Sequence, residues 1–152
     1  MHIFIAGVMQ GVRQDDQIDD QFYRIRIRQA LEAYVPGVRI TDPWALNPES
    51  VYYDDNQARH TFLTMTQEAG RADLLIAYLP RPSMGTAMEM WEAFRTQTYI
   101  IAVTPLVHHW AVRFTANEIV PDLDSLLGAI ENGRITQLLT SLTKVDAPTL
   151  GD

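Results

Sequence analysis

The sequence contains no cysteine. That excludes disulfide bridges, thiol nucleophiles and cysteine-ligated zinc, and it suits a reducing compartment. Positive charge is scarce as well: 12 lysines and arginines face 19 aspartates and glutamates, for a net charge of −7. Phosphate backbones are bound by basic surfaces, so a nucleic acid polymer is disfavoured as partner. One local pocket can still hold one phosphate. No apolar run approaches the roughly eighteen residues of a membrane span, so no membrane association is expected. Met1 leads directly into a strand-like segment without a basic leader or cleavage site. No signal peptide is therefore expected, and the expected location is cytoplasmic. The specific phosphate motifs, Walker A and G-x-G-x-x-G, are missing. So is the H-E-x-x-H spacing; the adjacent His108 and His109 point in different directions on a helix, and no metal site is expected.

What is present suits one folded domain. The chain has 152 residues, 47% of them hydrophobic, enough for a substantial core. Residues 1–144 read as a single α/β domain and residues 145–152 as a frayed tail. Residues 2–6 read as a first strand, followed by a turn bracketed by Gly7 and Gly11. A glycine turn before a helix can offer backbone N–H groups to an anion, or be a plain strand-to-helix connection. Arg13 is the cation close to that turn. The spacing predicts a helix over 15–34 with Ile18, Phe22, Ile25 and then Leu31 or Tyr34 inward. Arg24, Arg26 and Arg28 read as solvated, or paired with Asp19, Asp20 and Glu32. Pro36-Gly37 ends this helix, and a short strand follows over 38–41. Residues 42–55 form the longest irregular stretch. Its aromatics, Trp44, Tyr52 and Tyr53, can stack on a nucleobase or cover the core edge.

A helix over 56–70 comes next, with Phe62, Met65 and Ala69 toward the sheet and Gly70 as its stop. Later strands are expected over 99–103 and 118–120, and helices over 122–130 and 135–142. Strands alternating with helices call for a doubly wound, flavodoxin- or Rossmann-like α/β fold: five parallel strands covered on both faces.

Residues 72–94, ADLLIAYLPRPSMGTAMEMWEAF, organise the rest. An apolar strand is followed by a turn containing Pro80, Pro82 and Gly85, and then by a helix read as starting at Thr86. In open α/β sheets, ligands bind outside the carboxyl ends of strands, where this turn falls. Glu89 has two readings. Thr86-x-x-Glu89 fits a capping box, with Thr86 as N-cap and Glu89 reaching back to its N–H. Alternatively, Glu89 faces the pocket above the sheet as a carboxylate nucleophile for an anomeric carbon. Ser83 likewise reads either as an ordinary turn residue or as a hydroxyl able to donate to a phosphate.

The segment resembles the signature of the nucleoside 2-deoxyribosyltransferase-like family. Ala72-Asp73, the strand residues 74–77, Ser83, Gly85 and Glu89 carry the resemblance, and Ile3-Phe4-Ile5-Ala6-Gly7 is similar to that family's first strand. It implies N-glycosidic bond cleavage or transfer on a nucleoside or nucleoside 5′-monophosphate, with Glu89 as nucleophile. Gly7, Gln10, Gly11, Arg13, Ser83 and Gly85 are the implied substrate-binding residues. No cofactor is implied. Homo-oligomers whose pockets are completed by a neighbouring chain are implied, and Trp91, Phe94 and Trp110 are aromatics available for such contacts.

The chain departs from the family in places. Met65 stands where the family usually has an aspartate that assists the base, and Phe4 stands where a tyrosine often contacts the nucleophile. Asp42, Asp54, Asp55, His60 and Glu68 are the alternative candidates for the acid role. Ser83 leans toward the branch that hydrolyses 2′-deoxynucleoside 5′-phosphates, although Gln10 stands where that branch has arginine. A non-catalytic nucleotide-binding protein of the same fold is the alternative function.

Overall fold

A computed structural model describes residues 1–9 and 18–145. Five strands, β1 (His2–Gly7), β2 (Arg39–Thr41), β3 (Leu74–Tyr78), β4 (Tyr99–Val103) and β5 (Glu118–Val120), form one sheet in the order β2-β1-β3-β4-β5. Every pairing is parallel. Parallel strands need crossovers, and helices supply them on both faces. These are α1 (Phe22–Tyr34), α2 (Pro43–Leu46), α3 (Asp55–Ala69), α4 (Met84–Arg95), α5 (Trp110–Thr115), α6 (Leu123–Glu131) and α7 (Arg134–Val145), with a 3₁₀ turn at Ser50–Tyr52. The doubly wound five-stranded architecture expected from the alternation is the one observed.

Alternation along the strands divides the core in two. Ile3, Ile5, Leu74, Ile76, Ile101 and Val103 face one layer, against Ile27 and Leu31 of α1, Leu126 and Ile130 of α6, and Ile135 and Leu139 of α7. Phe4, Ala6, Leu75, Ala77, Ile100 and Ala102 face the other, against Ala69 of α3, Met90 and Ala93 of α4 and Val112 of α5. Burying each large aliphatic side chain contributes about 1.5–3 kcal/mol. The second face holds a row of small residues, because Ala6 pairs with Ala77 and Ala77 with Ala102. The missing side-chain bulk leaves room for α4 to lie close to the sheet beneath the site.

Four local expectations are corrected. Residues 18–21 are not helical, and α1 begins at Phe22. Its inward face is Tyr23, Arg24, Ile27, Ala30 and Leu31, whereas Phe22, Ile25 and Tyr34 are exposed. Arg24 is buried rather than solvated, and its carboxylate partner is Asp42. Arg26 pairs with Asp124, and Arg28 with Glu32 as expected. On α3, Ala69 is buried and Met65 packs against the core, but Phe62 stays out of the core and is 43% exposed. Gly70 caps α3 with an ordinary φ of −78°. Its value is space: a Cβ there would lie 2.9 Å from Glu92 Cγ and from Thr96 Oγ1 of the neighbouring α4 end. Among the described residues no helix is long and apolar enough to cross a membrane.

Candidate functional site

Strand order reverses between β1 and β3: the chain winds outward to β2 on one side and to β4 and β5 on the other. At such a switch point the loops leaving the two strands diverge and open a crevice above their carboxyl ends. A cavity of about 600 Å³ occupies this place. Gly7 and Met9 from the end of β1, Pro43, Ser50 and Tyr53 from the segment after β2, one face of α3 and the start of α4 line it. The α3 residues Asp55, Ala58, Phe62 and Met65 lie three, four and three positions apart, the spacing of a single helical face.

The start of α4 decides what Glu89 does. Ser83, not Thr86, is the N-cap, and its hydroxyl accepts from Thr86 N at 3.4 Å and from Thr86 Oγ1 at 3.1 Å. The helix therefore begins at Met84, two residues earlier than the sequence pattern indicates, and Glu89 falls in its second turn. The capping-box reading is overturned, because Thr86 is already helical and its backbone needs no return bond from Glu89. Glu89 has no hydrogen bond or ion pair within bonding distance among the described residues, and it lines the cavity. Protein packed around the carboxyl removes much of its hydration and pushes its pKa from 4.5 up to about 8. The positive charge of Arg24 pulls in the opposite direction and is outweighed.

Gly7, Ser83, Gly85 and Glu89, all singled out from the sequence, line this one cavity. Gln10, Gly11 and Arg13 lie outside the described residues. Gly7 meets a steric demand: a Cβ there would stand 2.8 Å from Cζ of Tyr23, whose ring stacks on Tyr78 at 4.3 Å. Of the loop aromatics, Tyr53 lines the cavity, whereas Tyr52 is exposed and Trp44 lies outside the lining. Asp73 of the signature sits at the opposite end of the sheet, where its carboxylate accepts from His2 N at 2.6 Å. That part of the signature is structural here.

The alternative acids separate cleanly. Asp42 is buried against Arg24 and caps α2; Asp54 caps α3 in a capping box with Gln57; Glu68 pairs with Arg71. His60 is exposed and outside the lining. Asp55 alone of the five lines the cavity. Tyr23 and the Arg24 network were missed by the hydrophobic pattern. The usable signal was a cation at Arg24, three and seven residues before the buried Ile27 and Leu31, on a face that should be apolar. Arg81, in the turn after β3, pairs with Asp19 and so ties that turn to the segment preceding α1. A second, largely apolar cavity of about 490 Å³ lies between α4 and α5 and shares Ser83 and Met84 with the first.

Comparison with solved structures finds this fold elsewhere. A 2-deoxyribosyltransferase from the psychrotolerant bacterium Bacillus psychrosaccharolyticus superposes with a TM-score of 0.63 at 13% identity, over 84% of this chain and 90% of that one. A conserved protein from Enterococcus faecalis V583 superposes with a TM-score of 0.58 at 17% identity, over 87% of this chain and 98% of that one. No protein-family model matches the sequence, and no curated protein matches it. The resemblance read from the two motifs is thus matched by a 2-deoxyribosyltransferase of the same α/β fold.

Proposed function

We propose that this chain cleaves or transfers the N-glycosidic bond of a (2′-deoxy)nucleoside or nucleoside 5′-monophosphate, with Glu89 as nucleophile. The observation that carries the reading is a glutamate free of capping duty, presented to a cavity at the switch point. The superposed Bacillus enzyme, a biocatalyst for nucleoside synthesis, supports it at the level of the fold. The Glu89 carboxylate attacks C1′ of the sugar as the bond from C1′ to the base nitrogen breaks. The bonding electrons leave with the base, which takes up a proton. Water or a second base then attacks C1′ and releases Glu89 as carboxylate. Asp55 is the other carboxyl group lining the cavity among the described residues, and it is assigned to hydrogen-bond the departing or incoming base.

The first turn of α4 favours an anion nearby. The N–H groups of Met84 and Gly85 precede the first full helical bond, and Ser83 stands beside them. This supports a 5′-phosphate as one form of substrate.

A non-catalytic nucleotide-binding role is the second reading. Met65 lines the cavity where a proton-transferring side chain would be useful, and Phe4 is fully buried in the core without a hydroxyl. Incubation with a panel of nucleosides and nucleoside 5′-monophosphates, followed by chromatography for free base, separates the two. Base release that is lost in Glu89→Gln is the expected result. Saturable binding without release in either protein overturns the catalytic reading in favour of the second.

A further inference from the structure

Arg24 is 1% exposed, the most deeply buried charge among the described residues. Its position follows from a shortfall in the sheet. β2 is three residues long, and its pairing with β1 ends at Phe4 and Thr41. The carbonyls of Ile5 and Gly7 lie on the β2 side of β1 but beyond the last β2 residue, so no strand meets them. Buried carbonyls left unpaired are costly. Arg24 reaches across from α1 and takes both, donating to Ile5 O at 2.7 Å and Gly7 O at 3.1 Å. The same guanidinium donates to Asp42 Oδ1 at 3.0 Å and to Gln21 Oε1 at 2.7 Å. Asp42 in turn accepts from Trp44 N, and Gln21 donates to Val8 O. One side chain therefore fixes the end of β1, the exit of β2 and the start of α1, and Gly7 and Pro43 of those segments line the cavity.

We propose that Arg24 is a positioning residue for the Glu89 site, holding the Gly7 wall in place and supplying the buried positive charge against which Glu89 ionises. The proposal rests on Glu89 being the working carboxylate. The charge balance makes it specific. Asp42 already neutralises Arg24, so Glu89 is the second carboxylate drawing on one cation. Among the described residues, Tyr53 from the loop and Asp55 from α3 share the cavity lining with Glu89, and Tyr23 from α1 is close enough to feel its charge. Glu92 from α4 is held by Arg95, and Arg81 from the turn is held by Asp19. Among the described residues no cation lines the cavity itself, and Arg24 stands behind its Gly7 wall; Arg13, Asp15 and Asp16 lie outside them.

The experiment reads Glu89 ionisation without requiring catalysis: carboxyl NMR titration, checked by the pH dependence of stability of each protein minus its Glu89→Gln counterpart. In Arg24→Gln the titration midpoint should rise by about one pH unit or more, a tenfold drop in the ionised fraction near neutrality. The acid limb of base release should move with it, and Arg24→Lys should recover most of the shift. Asp42→Asn should move the midpoint down, by freeing Arg24 for Glu89. An unmoved midpoint in folded Arg24→Gln overturns the proposal. Should that variant not fold, an unmoved or raised midpoint in Asp42→Asn overturns it equally. Shifted midpoints with no base release from any substrate would leave the Arg24 assignment standing and remove the enzymatic reading. Base release with unmoved midpoints would do the reverse.

Discussion

At the scale of single residues, the role proposed for Glu89 sets a carboxyl group that would have to ionise against the fold that buries it. In the unfolded chain Glu89 titrates at its ordinary 4.5, and in the folded chain at about 8. Below pH 4.5 both states hold the proton and the group has no pH-dependent effect. Between 4.5 and 8 the unfolded chain releases its proton first, so stability falls as pH rises, and above 8 the loss is complete. Glu89→Gln should therefore match wild type near pH 4 and be the more stable protein at pH 9, by about 1–3 kcal/mol. A capping glutamate would show little change, because glutamine also serves at that position of a capping box. Base release should fall on the order of a thousandfold or more in the same variant. Paired thermal midpoints at pH 4 and 9, with a base-release assay, check both halves. If Glu89 is the nucleophile, the wild-type rate should rise with pH up to about 8, as its carboxyl loses its proton.

Gly7 offers a second residue-scale test. Its substitution by alanine drives a methyl group into the Tyr23 ring, and overpacking of this kind costs about 1–3 kcal/mol. Tyr23→Phe removes the hydroxyl, the nearest atom to that methyl, so the double variant should regain part of the loss. Denaturant unfolding of the two single variants and the double variant measures the coupling. Strict additivity would mean that Gly7 is needed for some other reason.

At the scale of elements, what was legible in the sequence follows from how local the determining physics is. The strands at Tyr99–Val103 and Glu118–Val120 were placed to the residue, because an apolar run between turn signals is its own evidence. The strand–turn–helix around Gly85 was read for the same reason. Helix α1 was not. Its sequence offers two competing faces, and the buried one contains Arg24, which no hydrophobic pattern selects. Burial of that arginine is decided by two carbonyls of β1 and by Asp42, groups that only the folded topology brings together. The α4 start failed on a smaller scale: Ser83 and Thr86 are both competent caps, and the earlier one formed the bond. Ser83→Ala should then cost stability at the low end of about 0.5–2 kcal/mol, given a 3.4 Å cap bond. If the hydroxyl also serves a 5′-phosphate, KM for nucleotides should rise while KM for nucleosides stays unchanged. An equal change for both substrate classes would confine Ser83 to its cap.

At the scale of the whole molecule, several large apolar side chains of α4 and α5 stand exposed on one helical layer. Met84, Met88 and Trp91 follow one another at helical spacing along the outer side of α4, and all three are exposed. Trp91 lies 5.8 Å from Phe94, and on α5 Trp110 packs edge-on against Phe114 at 6.0 Å. Trp110 remains 76% exposed and Met84 84% exposed. Aromatic and methionine side chains are those enriched at interaction faces. Met84 also lines the Glu89 cavity, so a neighbour seated on this face would cover an open side of the site. A second copy of the chain is the expected occupant, and light scattering at tens of micromolar should give at least a dimer. Trp91→Glu places a charge in the middle of the stripe and should shift the mass toward the monomer, with thermal stability little changed because the side chain is already exposed. The same variant should lose base release in proportion to the monomer formed, since the cavity would then lack its cover. A wild-type protein that is monomeric and active under these conditions would show that one chain completes its own site.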